Sequence, residues 1–107
     1  MEIRRFAKTD ANEVIALWER CGLVRPWNDP RKDIARKLAF QPELFLVGVV
    51  DGRIVASVMA GYEGHRGWIN YLAVDPGARR GGLGRAMMTA VEQALLELGC
   101  PKANLQI

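Results

Sequence analysis

What this sequence has little of narrows it first. Its 107 residues hold no apolar run approaching the roughly 20 residues that a membrane-spanning helix needs, so no membrane role is expected. The opening Met-Glu-Ile-Arg-Arg-Phe-Ala-Lys-Thr-Asp has no apolar segment of the kind a secretory leader carries. There are only two cysteines, Cys21 and Cys100. Each stands at the end of an apolar helical pattern beside a glycine or proline, with no catalytic or metal-binding motif around it. Reduced thiols and a cytoplasmic location follow as expectations, with no metal. Long charge blocks and the low hydrophobicity of disordered chains are also missing. The net charge of +3 suits an anionic ligand. The basic residues are spread along the chain without an aromatic-basic stripe, so nucleic acid is not an expected partner.

What is present is the composition of a soluble domain: 50% hydrophobic and 25% charged residues. A single domain over 1–107 is the natural reading. "MEIRRFA" reads as a short edge strand. In "TDANEVIALWERCGL", Asp10 and Glu13 read as a capping box, Val14, Leu17, Trp18 and Cys21 fall at helical spacing, and Gly22 is a stop. "VRPWNDP" is a turn-rich loop. Asp29 and Pro30 then open a second helix with Ile34, Lys37 and Leu38 along one stripe. "LFLVGVV" and "RIVASVMAGY" read as strands joined by Asp51-Gly52, a type I′ hairpin signal. After the turn "EGHRG" comes a third such strand, "WINYLAVDP", whose period-2 pattern slips by one at Tyr71–Leu72. Burial on both faces and a β-bulge each account for that slip.

"GLGRAMMTAVEQALLELG" is the best helix: Leu83, Met87, Val91, Leu95 and Leu98 mark one face, and Gly99 with Pro101 end it. "PKANLQI" begins a last strand, placed parallel to the one before the helix by the right-handed crossover rule. The element order is β-α-α-β-β-β-α-β. The fold class is α/β (α+β), a mixed, mainly antiparallel sheet flanked by helices.

The stretch from Val74 to Met87, "VDPGARRGGLGRAM", sets four glycines and three arginines between a strand and a helix. A helix N-terminus offers unpaired amides and partial positive charge. Glycines let a ligand approach the backbone, and arginines suit phosphate. The junction reads as a diphosphate-binding turn. It is not a P-loop, because the chain has no Gly-Lys pair, and a dinucleotide fingerprint would need a third glycine.

The run Arg79-x-x-Gly82-x-Gly84, following a strand that ends Val74-Asp75-Pro76, resembles the coenzyme A signature of the GNAT superfamily of N-acetyltransferases. The element order resembles that family's as well, and "LWERCGLVRPWNDP" and "GYEGHRG" are similar to its bacterial YpeA-type acetyltransferases. The resemblance implies the GNAT-like acyl-CoA N-acyltransferase fold and transfer of acetyl from acetyl-CoA to a primary amine of a small molecule or protein, by direct attack. It implies that the backbone from Arg79 through Arg80, Gly81, Gly82, Leu83 and Gly84 to Arg85 holds the pyrophosphate. Leu72, Ala73 and Val74 would pair with the pantetheine arm, and the Leu72 N–H would polarise the thioester carbonyl.

Two departures stand out. The family often places a basic carboxylate on the fourth strand, where this chain has Asn70 and Tyr71; Glu63 and His65 in the preceding turn are the candidate substitutes, and Asp75 reads as structural. The family also has a tyrosine on a helix after the fifth strand, beyond Ile107. A sheet ending there would expose an edge, so a longer parent protein, or a partner such as a second copy covering that edge, is expected. An inactive CoA-binding or interaction module is the alternative function. The acceptor is expected near Arg25, Trp27, Asn28 and Tyr71.

Overall fold

The computed structural model describes residues 1–101 and 105–106; at Arg80, Leu105 and Gln106 it describes the backbone alone. The strands are β1 (Glu2–Arg5), β2 (Phe45–Val50), β3 (Arg53–Tyr62), β4 (Gly67–Val74) and β5 (Leu105–Gln106). The helices are α1 (Ala11–Arg20), α2 (Pro30–Ala39) and α3 (Leu83–Glu97). The sheet runs β1-β2-β3-β4-β5 in sequence order. The first three pairings are antiparallel and β5 is parallel to β4, pairing at Gly67 and Trp68. The sequence predicts this order and the parallel last strand.

Alternation along the strands builds two cores. Phe45 and Val47 of β2 and Ile54 and Met59 of β3 pack with Val14, Leu17 and Trp18 of α1 and Ile34 of α2. On the other face, Leu46, Ala56, Val58 and Ala60 pack with Met87, Val91 and Leu95 of α3. The three α3 side chains recur every four residues and are completely buried. Leu98, expected on the same stripe, is exposed because the helix has already closed at its C-cap. The Asp51–Gly52 turn has positive φ at both positions (51° and 76°), as a type I′ hairpin demands.

The caps divide. Asp29 accepts from the amides of Arg31 and Lys32, so α2 starts as its sequence predicts. Asp10 does not cap α1 through its side chain. It closes a 3-10 turn by accepting from the Ala7 amide at 2.8 Å and takes both Arg4 guanidinium nitrogens at 2.7 and 3.0 Å. Glu13, the other half of the expected box, instead accepts from the Ile54 amide of β3 at 2.6 Å. A sequence pattern of local spacing is here overridden by two tertiary partners.

Candidate active site

β4 carries the irregularity on which the site depends. Its register against β3 shifts between Ser57 and Met59, so Tyr71 and Leu72 together face Val58. This is a β-bulge, and it decides between the two explanations of the broken alternation. Tyr71 takes φ +52°, a left-handed conformation that costs an aromatic residue about 1–2 kcal/mol. Two contacts offset it. The ring stacks on the buried Trp18 at 4.6 Å, and the hydroxyl donates to Asp33 Oδ2 at 2.7 Å. Trp18 is itself fixed by its indole N–H, which donates to the buried Ser57 hydroxyl at 2.9 Å.

Beyond the bulge, the Asp75 amide donates to the Val55 carbonyl of β3. Strand alternation therefore turns the polar groups of Val74 to the opposite edge. There the Val74 carbonyl accepts from Arg79 Nε at 3.0 Å and Cys21 Sγ at 3.3 Å. Among the described residues β5 reaches only the start of β4, and a cleft of about 410 Å³ opens at its far end. Cys21 and Leu23 wall it from the end of α1, Leu72, Ala73 and Val74 from β4, and Arg79 and Gly84 from the junction. Asp75 braces the wall: it accepts from the Gly77 amide and binds Arg20 of α1 at 2.8 and 3.1 Å. The Gly77 amide and the Arg20 guanidinium hold its carboxyl below the usual range.

The junction itself winds as a 3-10 turn over Pro76–Gly81 and enters α3 through Gly82. Gly82 has φ +72°, and a Cβ there would meet nothing within 4 Å, so the backbone conformation and not crowding selects glycine. The N-cap, Gly82, has no side chain with which to cap α3, and the first turn contains no acidic residue. The free amides and the positive end of the helix dipole are thus left for an anion.

A second cleft, of about 470 Å³, lies across the bulge under α2, lined by Asp33, Arg36, Lys37 and Phe40 with Met59, Asn70 and Tyr71 of the sheet. Asp33 accepts from Tyr71 and pairs with the exposed Arg36. Burial, and then the Asp33 hydrogen bond, push the Tyr71 phenol up to about 12, so Tyr71 is a neutral donor through the physiological range. Lys37 Nζ donates to the Ala60 carbonyl at 2.5 Å, and burial lowers its pKa against the opposing pull of Glu43.

The structure brings Leu72, Ala73, Val74, Arg79 and Gly84 together as walls of the first cleft, with Gly81, Gly82, Leu83 and Arg85 on the adjoining turn. The Arg80 side chain lies outside the described residues. Of the four residues proposed for the acceptor, Tyr71 lines the second cleft and Asn28 reaches the Tyr71 hydroxyl at 3.5 Å, whereas Arg25 and Trp27 lie exposed on the loop. Glu63 and His65 line neither cleft. They occupy an exposed turn before the start of β4, roughly 16 Å along that strand from Leu72. Asp33 and Lys37 were not singled out in the sequence as site residues. Their one signal is a lysine set inside the apolar stripe of Ile34 and Leu38.

Among the described residues the fourth strand is thus bulged and has no strand neighbour beyond Trp68 on its outer edge, beside a helix entered through a glycine. The chain belongs to the Acetyltransferase (GNAT) family, which it matches over residues 11–107. It is similar to an acetyltransferase of Yersinia enterocolitica, with 54% identity across the whole chain and 76% of the relative. Among solved structures it is similar to Ard1 of Thermoplasma volcanium, with TM-score 0.78 and 25% identity over 92% of this chain and 66% of that one. A predicted acetyltransferase of Clostridium acetobutylicum, solved with acetyl-CoA, superposes with TM-score 0.75 at 15% identity over 98% and 78% of the two chains, and shows the fold alone.

Proposed function

We propose that the first cleft binds the diphosphate and pantetheine of acetyl-CoA and the second binds the amine acceptor, with the β4 bulge between them. The chain is an acetyl-CoA-dependent N-acetyltransferase of the GNAT family. The observation that carries the assignment is the first cleft: an uncapped helix terminus entered through a positive-φ glycine, next to a strand edge with no strand neighbour at Val74 among the described residues. It fits a diphosphate linked to an extended amide chain. The amides of Gly81 to Arg85 face the phosphates and Arg79 and Arg80 add charge. The edge of Leu72, Ala73 and Val74 pairs with the pantetheine amides. Acetyl-CoA supplies an activated thioester. The Leu72 N–H polarises its carbonyl, and the neutral acceptor amine attacks directly, without an acyl-enzyme; the C–S bond breaks, and coenzyme A leaves as a thiolate that takes up the proton the new amide nitrogen gives up. The finer kinship, with YpeA-type acetyltransferases, rests on the stretches Leu17–Pro30 and Gly61–Gly67.

Calorimetric titration with acetyl-CoA tests the reading. Binding by the parent chain that weakens at least about tenfold in Arg79→Ala and in Gly82→Val supports it. Equal binding by all three proteins places the diphosphate elsewhere and removes the assignment.

A further inference from the structure

Asp33 and Lys37 stand four residues apart on α2, the spacing at which an acid and a base on a helix ordinarily pair. Among the described residues no ion pair joins them. Each turns instead to the sheet: Asp33 to the Tyr71 hydroxyl, at the bulge, and Lys37 to the Ala60 carbonyl of β3. Ala60 is opposite Ile69 in the register, two residues before Tyr71 on β4. The second cleft therefore has two poles of opposite sign, one helical turn or about 6 Å apart along α2, with the negative pole nearer the bulge. Lys37 uses one of its three N–H donors on Ala60 and is half-buried with no carboxylate within ion-pair distance among the described residues. Glu43 acts on it only from beyond ion-pair distance and the centre of the Phe40 ring lies 5.7 Å from Nζ, so a half-buried cation here still gains from an anion that comes to it. Arg36, 73% exposed at its side chain, pairs with Asp33 Oδ1 at the mouth, a solvent-exposed partner that an incoming ammonium can displace.

We propose that the acceptor is a small amino-carboxylate. Its ammonium is received at Asp33 beside Tyr71 and its carboxylate at Lys37, a few ångströms away. This rests on the reading of the first cleft as the acetyl-CoA site. It orders the acceptor: the amine lies toward the bulge, and the anionic end points along β4 toward Trp68. A single-pole amine such as a polyamine satisfies Asp33 and leaves Lys37 unanswered.

The test is an acceptor series read by thiol release from acetyl-CoA. Its members are glycine, β-alanine, 4-aminobutyrate, 6-aminohexanoate and the twenty α-amino acids, each beside its carboxamide, with spermidine as the cation control. The expected result is that at least one acid exceeds its own amide by about tenfold or more in kcat/KM. That ratio falls toward one in Lys37→Met and is kept in Lys37→Arg. The position of the optimum within the ω-amino acid series reads the distance between the poles and separates α-amino acids from longer acceptors. Acetyl-CoA binding to the same Lys37→Met protein, measured by calorimetry, should match the parent and shows that the variant is folded. Binding of acetyl-CoA without any acid preferred over its amide overturns this inference alone, as does a preference that survives Lys37→Met or a best acceptor that is spermidine. Absence of acetyl-CoA binding by the parent overturns the acetyltransferase reading and this inference with it.

Discussion

The cleft at the start of α3 is walled by the β4 edge from Leu72 to Val74, by Cys21 and Leu23, and by Arg79 and Gly84 of the junction, beside a helix terminus entered through a glycine. The cleft under α2 is walled by particular side chains, an aspartate, a lysine and a tyrosine, drawn from a helix and a strand 38 positions apart in sequence. On the proposed reading the first recognises what all reactions of such an enzyme share, the CoA moiety, and the second distinguishes one amine from another, for which particular side chains are needed. Between them stands one shared support, Tyr71 stacked on Trp18.

The largest effect should come from removing that support, because it abolishes the difference between the clefts by damaging both. Trp18 is fully buried, stacks on Tyr71 and Phe45, and is tied to Ser57. Trp18→Ala is expected to cost about 3–5 kcal/mol, a large share of the stability of a small domain. Ser57→Ala keeps the packing and orphans the indole N–H, costing about 1–3 kcal/mol. Urea denaturation measures both. A Ser57→Ala protein as stable as the parent would mean that the bulge is supported by packing alone.

Gly82→Val should come next and strike only the first cleft. A β-branched residue at φ +72° costs about 1–3 kcal/mol of stability, and on the proposed reading its side chain would crowd the diphosphate. Acetyl-CoA affinity is expected to fall at least about tenfold. Gly84→Ala makes the contrast: a Cβ there meets Val74 Cγ2 at 3.6 Å, an ordinary contact, so stability should be nearly unchanged. Thermal melting of the two variants side by side would separate conformational strain from crowding.

The contrast between the clefts also explains what could be read in advance. The hairpin at Asp51–Gly52, the Asp29 cap and the run from Arg79 to Gly84 are local: each depends on a few consecutive residues and on φ preferences that glycine or a capping side chain announces. The bulge at Tyr71–Leu72 announced itself as a break in alternation, though only the register against Val58 decides what kind. Asp10 and Glu13 had the spacing of a cap and lost it to Arg4 and Ile54, partners invisible in their own segment. Asp33 gave no sign because its hydroxyl partner, Tyr71, lies 38 residues away, and Glu63 and His65 stand on the turn before β4, apart from both clefts.

Tyr71→Phe should act on the second cleft and spare the first. It removes the donor to Asp33 Oδ2 and keeps the ring on Trp18, for a stability cost of about 0.5–1.5 kcal/mol. Acetyl-CoA binding should stay within about twofold of the parent, while acetyl transfer falls. Equal loss of both would mean that the hydroxyl fixes the bulge itself, and the two clefts would then be one coupled unit. Calorimetry and thiol release on one preparation decide it.

The smallest expected effect is on the acid side and belongs to the first cleft. The Gly77 amide and the Arg20 guanidinium hold the folded Asp75 carboxyl below the ordinary aspartate value of about 3.9. A carboxyl depressed on folding binds fewer protons folded than unfolded, so its contribution is complete above about pH 3.9 and drains away as pH falls through the lower folded value. Asp10, depressed first by the Arg4 hydrogen bond and further by the Ala7 amide, adds a loss of the same sign near β1. The melting temperature should therefore be level from about pH 7 to 5 and decline below about 4. Asp75→Asn should lower the plateau modestly, since its Arg20 partner is largely exposed, and should soften the decline. Asp10→Asn should soften it as well, leaving acetyl-CoA affinity unchanged where Asp75→Asn weakens it, because, of the two aspartates, it is Asp75 that binds α1 beside the wall of the cleft. An Asp75→Asn protein that melts along the parent curve below pH 4 would show that the Gly77 amide and Arg20 brace the wall without regard to charge. The rigidity of the first cleft would then be a property of its turn alone.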